Sequence, residues 1–176
     1  MSMSRLDKSS PDETDGARRR LVLENFTPYR LNTLARFASE GFVNSYAREA
    51  REFGIGPAEW RVISFLGEQR DSRKGTKEMT ARDIGARTFM QKVQVSRAIL
   101  KLERKRLISR RLNFNDRREV FLKLTPSGKR VYAVIVPVAL EYQKSLTKGL
   151  SAADMKTLDR VMGVLLGNAK TLRNST

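Results

Sequence analysis

Residues 91–128, QKVQVSRAILKLERKRLISRRLNFNDRREVFLKLTPSG, contain the pattern that decides the fold. Residues 91–108 place apolar side chains at helical spacing among basic and polar ones, which predicts a long, basic, amphipathic helix. Residues 108–114 and 119–124 then alternate roughly between apolar and polar side chains on either side of NDRR, which predicts a β-hairpin with a charged tip. Thr125-Pro126 has the form of an N-cap followed by proline at the first helical position, so a further helix is expected there.

A shorter helix is expected just before the basic one. Thr80 to Asp83 fits a capping box with aspartate in the glutamate position, and the helix should continue through residue 88. Two short helices joined by a few residues are typical of a helix-turn-helix, and a hairpin directly after the second helix forms a wing. Residues 57–126 therefore predict a winged helix-turn-helix, which also includes a helix over 57–67 and a short strand that ends at Met79.

Long helices are expected on both sides of this segment. Apolar side chains recur at helical spacing over residues 29–53, interrupted by Gly41, after the cap-like pair Thr27-Pro28. Residues 127–146 predict a helix with Pro137 as a kink. Residues 151–154 form a second capping box, and the apolar residues that follow it are spaced by three and four. The fold class is therefore mainly α with a small β-wing (α+β).

The flanking helices carry apolar stripes that the winged segment alone does not need. They either complete the core of a monomer or pack against a second copy of the chain, and we favour the homodimer because DNA readers commonly match a two-fold protein to a palindromic site. The expected layout is a flexible tail over 1–24, a first dimerisation helix within 25–56, the winged segment, and C-terminal dimerisation helices over 127–176. The expected dimer residues are Leu31, Leu34, Val138, Leu158, Met162 and Leu165.

The charge of the chain points to a polyanionic partner. The 176 residues include 35 Lys and Arg against 19 Asp and Glu, a net charge of +16, and residues 81–130 hold 15 of the basic and four of the acidic residues. A localised basic surface favours nucleic acid over an anionic membrane or a merely solubilising surface.

Several classes of function are disfavoured. The chain contains no histidine and no cysteine, which removes the commonest metal ligand, the commonest general base and all thiol chemistry. No clustered carboxylates suggest a metal site, so we expect no cofactor and no enzyme. No apolar run approaches the roughly 20 residues that span a bilayer, and residues 1–20 lack the apolar core of a secretory signal, so a cytoplasmic protein without a membrane partner is expected.

The order of elements and two motifs resemble the multiple antibiotic resistance regulator (MarR) family of bacterial transcription factors over about residues 26–172. In the wing, Asp116-x-Arg118 and Leu124-Thr125-x-x-Gly128 match the family's D-x-R…L-T-x-x-G signature. In the basic helix, Val95-Ser96-Arg97…Leu102-Glu103 is similar to its V-S-R…L-E, and residues 54–67 resemble the segment that enters its second helix.

Two departures from the family pattern stand out. The basic helix starts with Met90-Gln91-Lys92 instead of the usual aspartate or serine. Where family members often have Lys-Gly-Leu-Ile after this helix, the chain has residues 105–108, KRLI. The missing glycine predicts a strained or differently shaped turn into the wing, but the fold is still expected.

The basic helix is expected to enter the DNA major groove by its N-terminal turns. Gln91 and Gln94 suit adenine, while Arg97 or Lys92 would pair with guanine or phosphate. One of Val93 and Val95 would contact a thymine methyl group while the other packs inward. The remaining expected contacts go mainly to the DNA backbone or, for the wing tip, to the minor groove: Thr80, Arg82, Ser96, Lys101, Asp116, Arg117 and Arg118.

The resemblance also implies a small ligand, often an aromatic or phenolic acid, held between the DNA-binding lobe and the dimer helices. Arg36, Tyr46, Trp60 and Arg61 are the candidates, although a core position is the favoured interpretation of Trp60. The expected function is therefore a sequence-specific double-stranded DNA-binding regulator, in particular a repressor that such a ligand releases from a pseudo-palindromic operator. The alternative is a basic architectural or RNA-binding winged-helix protein without a small ligand.

Overall fold

The structure is a computed structural model that describes residues 20–68, 79–112 and 120–175. The chain divides into two compact units, Met1–Phe37 and Ala38–Thr176. In the described part of the first unit, a short 3-10 turn over Leu23–Asn25 precedes helix α1, which begins at Thr27 and ends at Ser45 in the second unit. The expected N-cap residue Thr27 is therefore already helical. The apolar side chains of Phe26, Tyr29, Leu34 and Phe37 are exposed.

The predicted continuous helix over 29–53 is wrong, because the helix breaks at Tyr46. Helix α2 spans Ala47–Phe53, and Tyr46 between the two helices has φ −109° and ψ 13°. The Ser45 hydroxyl donates to the Phe42 carbonyl at 2.7 Å at this break. Gly41, the expected interruption, stays helical and instead leaves room for Tyr142, whose hydroxyl donates to the Ala38 carbonyl at 2.8 Å.

The winged segment has the predicted elements in the predicted order. Helix α3 spans Pro57–Glu68, strand β1 Met79–Thr80, helix α4 Ala81–Thr88 and helix α5 Lys92–Arg104, followed by strands β2 Ile108–Leu112 and β3 Val120–Leu124. The strands β2 and β3 pair antiparallel with Ile108 opposite Leu124, which confirms the hairpin arms. The predicted tip lies outside the described residues. Strand β1 pairs with β3, a partner that the sequence did not predict, and gives the strand order β1-β3-β2.

The core of the second unit forms where helices α3 to α6 pack around this small sheet. Helix α3 turns Trp60, Val62, Ile63 and Leu66 inward, as its spacing predicts. Several of the core side chains have no exposed surface at all: Val62, Ile63, Ile84, Leu102, Val131 and Ile135. Because the core draws on α3, α4, α5 and α6, it holds α5 rigidly with one face outward.

Helix α6 spans Pro126–Leu146, with Thr125 as the predicted N-cap. The Thr125 hydroxyl accepts a hydrogen bond from the Gly128 N–H at 3.1 Å and donates to the Arg106 carbonyl at 2.7 Å. The Thr125 N–H also donates to the Leu107 carbonyl at 3.0 Å. The Leu124-Thr125-x-x-Gly128 motif therefore fastens the start of α6 to the turn after α5.

Helix α7 spans Ala152–Asn174 and starts at the predicted capping box of Ser151 and Asp154. Hydrogen bonds from Ser151 lower the pKa of the Asp154 carboxyl, as expected for a helix cap. None of the residues of α7 is buried, and Leu158 and Met162 are exposed. Exposed apolar side chains along a helix without buried residues favour a further binding partner for this surface.

Candidate nucleic-acid interface

Helix α5 has one buried face and one exposed face. Val95, Ala98, Ile99 and Leu102 lie in the core. At 100° per residue, the residues that point directly away from this core are those at positions 93, 97, 100 and 104. We call this set, namely Val93, Arg97, Leu100 and Arg104, the outward spine, and all four of its side chains are exposed.

The first turn of α5 contains two glutamines that are expected to read bases. The Gln94 side-chain oxygen accepts the Gln91 N–H at 3.2 Å. A glutamine needs both its oxygen and its amide nitrogen for bidentate contact with adenine. Reading adenine through Gln94 would therefore compete with this hydrogen bond.

Three other predicted contacts on α5 are available to a partner. Lys92, Ser96 and Arg97 are exposed, and within the described ranges none of them forms a side-chain hydrogen bond or an ion pair. Lys92 and Ser96 flank the outward spine, and Arg97 belongs to it. Cations in this position can approach guanine or phosphate without breaking an internal contact.

Of the two DNA contacts predicted at the start of α4, Thr80 and Arg82, only Arg82 has an exposed side chain. Thr80 is buried, and its hydroxyl oxygen accepts from the Asp83 N–H at 3.2 Å, while the Asp83 carboxylate accepts the Thr80 N–H at 2.9 Å. The predicted capping box is thus confirmed, and it occupies the Thr80 hydroxyl. Arg82 is exposed beside it and is the side chain at this helix end that can reach a phosphate.

Lys101 forms an ion pair with Glu59 within the winged segment. Its ammonium nitrogen lies 3.3 Å from a carboxylate oxygen of Glu59 in α3. The same Glu59 oxygen accepts the Gly56 N–H at 2.6 Å, and the Glu59 side chain is almost fully buried. This ion pair joins α3 to α5. This pair could not be predicted from the sequence, because Lys101 resembles any other exposed basic residue of the helix.

A second ion pair joins α5 to the sheet. The Arg110 guanidinium in β2 forms two hydrogen bonds with the Glu103 carboxylate, one of them at 2.7 Å, and these raise the pKa of Arg110 further. Arg110 therefore links β2 to α5 and is not merely a solvated surface charge. In the adjacent position, the Arg111 guanidinium lies 5.4 Å from the centre of the Phe121 ring. The predicted tip contacts Asp116, Arg117 and Arg118 lie outside the described residues.

Of the ligand candidates, Tyr46 and Trp60 are core residues. Their ring centroids are 5.9 Å apart, and Trp60 stacks on Tyr132 at 6.2 Å. Burial raises the pKa of the Tyr46 phenol, so the hydroxyl stays protonated near neutral pH. Arg61 is exposed, and in the first unit the Arg36 guanidinium lies 4.9 Å from the centre of the Phe37 ring.

The surface beside α5 also contains an open cavity of about 720 Å³ between α4, α5 and the sheet. Its walls include the apolar side chains of Met90, Val95 and Leu122 and the polar ones of Arg82 and Lys92. Within the described ranges, no three acidic residues come together in a way that could hold a metal ion, and no helix has the length and apolarity needed to cross a membrane.

These features define a class of protein. A capped helix α4, a basic helix α5 with an exposed spine, and a three-stranded sheet that extends from it form a winged helix-turn-helix. Proteins of this class place the second helix in the DNA major groove.

Comparison with known proteins shows which proteins this chain is similar to. Residues 53–119 match the MarR family model. A MarR/EmrR family transcriptional regulator from Acinetobacter sp. ADP1 superposes with a TM-score of 0.71 and 26% identity, over 86% of this chain and 99% of that one. Two structures with 21% identity share the fold: the S. aureus MepR–DNA complex (TM-score 0.64, 78% and 96% covered) and Bordetella bronchiseptica BpsR (TM-score 0.60, 77% and 98%). No curated protein matches the sequence. A segment of the chain thus matches the MarR family model, and the chain shares the fold of a solved MarR/EmrR family transcriptional regulator.

Proposed function

We propose that the chain is a homodimeric repressor that binds a pseudo-palindromic double-stranded operator. The observation that carries this proposal is the exposed face of α5, where the side chains of Lys92, Ser96 and Arg97 are exposed on a helix that the core holds rigidly. Residues 81–130 around it hold +11 of the net charge of +16. Such a surface attracts the phosphate backbone and presents side chains to base edges.

Contacts to the DNA backbone would come from either side of α5. Arg82 at the start of α4 is placed for phosphate, and Arg117 and Arg118 at the wing tip are proposed for the minor groove, with Asp116 orienting Arg118. MepR of S. aureus, which shares the fold, has been solved as a complex with DNA. Lys101 contributes less in this proposal, because Glu59 already neutralises its charge.

The proposed dimer uses the flanking helices. Leu158, Met162 and the half-buried Leu165 form an apolar stripe along α7, and Leu31, Leu34 and Val138 are proposed to belong to the same interface. A stripe of this kind is stabilised when a second copy covers it. The winged segment 57–126 would then be presented twice, as a palindromic site requires.

A small aromatic or phenolic acid is proposed to release the DNA. The regulation of DNA binding of the Bordetella bronchiseptica relative BpsR involves 6-hydroxynicotinic acid. In this chain the exposed cation Arg61 is the proposed partner of the acid group, and Arg36 in the first unit is a separate candidate. Because Tyr46 and Trp60 are buried, we propose that these two rings affect ligand binding indirectly, by supporting the surface that carries Arg61.

The operator is tested by selection of duplexes from a random DNA pool, followed by footprinting of the selected sequence. We expect a pseudo-palindrome with half-sites about one helical turn apart. A footprint without preference for any duplex sequence, or stronger binding to RNA, would instead support an architectural or RNA-binding protein. Thermal shift with aromatic acids tests the ligand separately, because a ligand of the folded state must raise the melting temperature.

A further inference from the structure

Val93 stands out on the exposed surface of α5. Its side chain is 56% exposed, whereas Val95, two residues later, is 2% exposed and belongs to the core. Val93 is also absent from the apolar side chains that pack against that core. An exposed valine in a helix brings neither burial nor a favourable helix propensity, so the stability of the free chain does not account for it.

The surroundings of Val93 restrict what it can do. Of the two residues on either side of it in the first turn, Gln94 accepts a hydrogen bond from the Gln91 N–H with its side-chain oxygen. Val93 and Arg97, one turn later, are thus the first two members of the outward spine. The N-terminal turn of a recognition helix is the part that lies deepest in the major groove. If α5 docks in this way, the group that meets the bases first is a pair of methyl groups.

A valine has no hydrogen-bonding group, and the apolar feature of the major groove is the 5-methyl group of thymine. The β-branched side chain of valine keeps one rotamer in about 90% of helical cases, so its methyl groups are presented with little loss of entropy. We propose that Val93 recognises the 5-methyl group of one thymine in each half-site. This inference rests on the proposed function, since it requires that α5 enters the major groove.

The test uses the full chain and a duplex selected by it from a random pool. Each thymine of the selected duplex is replaced in turn by deoxyuridine, which lacks only the 5-methyl group, and the dissociation constant is measured. We expect one position in each half-site at which the replacement weakens binding by about fourfold, the factor for exposing one methyl group. In Val93→Ala, thymine and deoxyuridine at that position should bind equally well.

Leu100→Ala is the matched control. Leu100 lies on the same outward spine, is 46% exposed, and stands two turns farther from the N-terminus of α5. It should keep the discrimination between thymine and deoxyuridine. Because both side chains are exposed, both variants should remain folded, and Val93→Ala should melt slightly above the unaltered chain, since alanine has the better helix propensity.

The outcomes separate the two proposals. A tight selected duplex with no methyl effect, or a methyl effect that Val93→Ala retains, would overturn the role of Val93 and leave the operator proposal intact. A loss of the methyl effect in Leu100→Ala would equally assign the recognition to another residue. A selection that yields no common sequence would overturn the proposed function and, with it, this inference.

Discussion

Gly128 allows the first turn of α6 to pack closely against the backbone that leads into the wing, because it has no side chain. A Cβ atom built on it would overlap the carbonyl oxygen of Leu107, which also accepts the Thr125 N–H. The backbone of α6 can approach the turn after α5 only because this position is glycine. The glycine of the family signature is therefore a steric requirement in this chain.

Gly128→Ala should lower the free energy of unfolding by at least about 2 kcal/mol, since the added methyl meets backbone that cannot move aside. Urea denaturation measures the loss. The control is Gly85→Ala in α4, where the new Cβ would lie 3.7 Å from a Val95 methyl group, an ordinary contact. That variant should gain about 0.5–1 kcal/mol. Equal effects of the two changes would contradict the steric account.

Arg106 occupies the position where the family often has glycine, and the predicted strain is present. Its φ is +55°, in the left-handed region. The Leu107 N–H donates to the Leu102 carbonyl at 2.9 Å and the Arg106 N–H to the Glu103 carbonyl at 2.8 Å. These two bonds form the Schellman motif that ends α5, and the motif normally has glycine at this residue.

Arg106→Gly should therefore stabilise the chain by about 0.5–1 kcal/mol, the relief of left-handed strain less the greater backbone entropy of glycine. Arg104→Gly is the matched control, because it removes the same charge from within α5 and should cost about 1 kcal/mol. Both are measured by thermal and urea unfolding. A destabilised Arg106→Gly would show that the arginine side chain itself is needed there.

At the scale of elements, the pair Glu59–Lys101 fixes the position of α5 against α3. Lys101 is half exposed, so solvent screens the attraction, and the coupling should not exceed about 1 kcal/mol. A double-mutant cycle of Glu59→Gln and Lys101→Met on the free energy of unfolding measures it. We expect a positive coupling that falls with added salt. Strictly additive effects would mean that the contact between Glu59 and Lys101 does not contribute to the free energy of unfolding.

At the scale of the whole molecule, the exposed stripe of α7 predicts the oligomeric state. Met162→Glu places a charge in the proposed interface and should convert the dimer to monomers in sedimentation velocity, with weaker binding to a palindromic duplex. Arg160→Glu is the control, because position 160 lies on the opposite face of the same helix. If Met162→Glu sediments like the unaltered chain, the stripe of α7 is not a dimer interface.

The sequence by itself determined the winged helix-turn-helix, the strands of the hairpin and the capping boxes at Thr80 and Ser151. These features depend on hydrogen bonds and apolar periodicity within a few residues, which a local pattern records. The pattern also limited the inward residue of α5 to Val93 or Val95, but periodicity alone does not say on which side the core lies.

Only the tertiary structure decided the remaining features. The break at Tyr46, the pairing of β1 with β3 and the contact of Lys101 with Glu59 each join segments that are distant in sequence or depend on what packs against them. Tyr46 is needed in the core, and its burial overrides the helical propensity of the residues around it. Val93 points outward for the same reason: Val95 packs into the core with α3, α4 and α6, and the opposite face of α5 is left exposed.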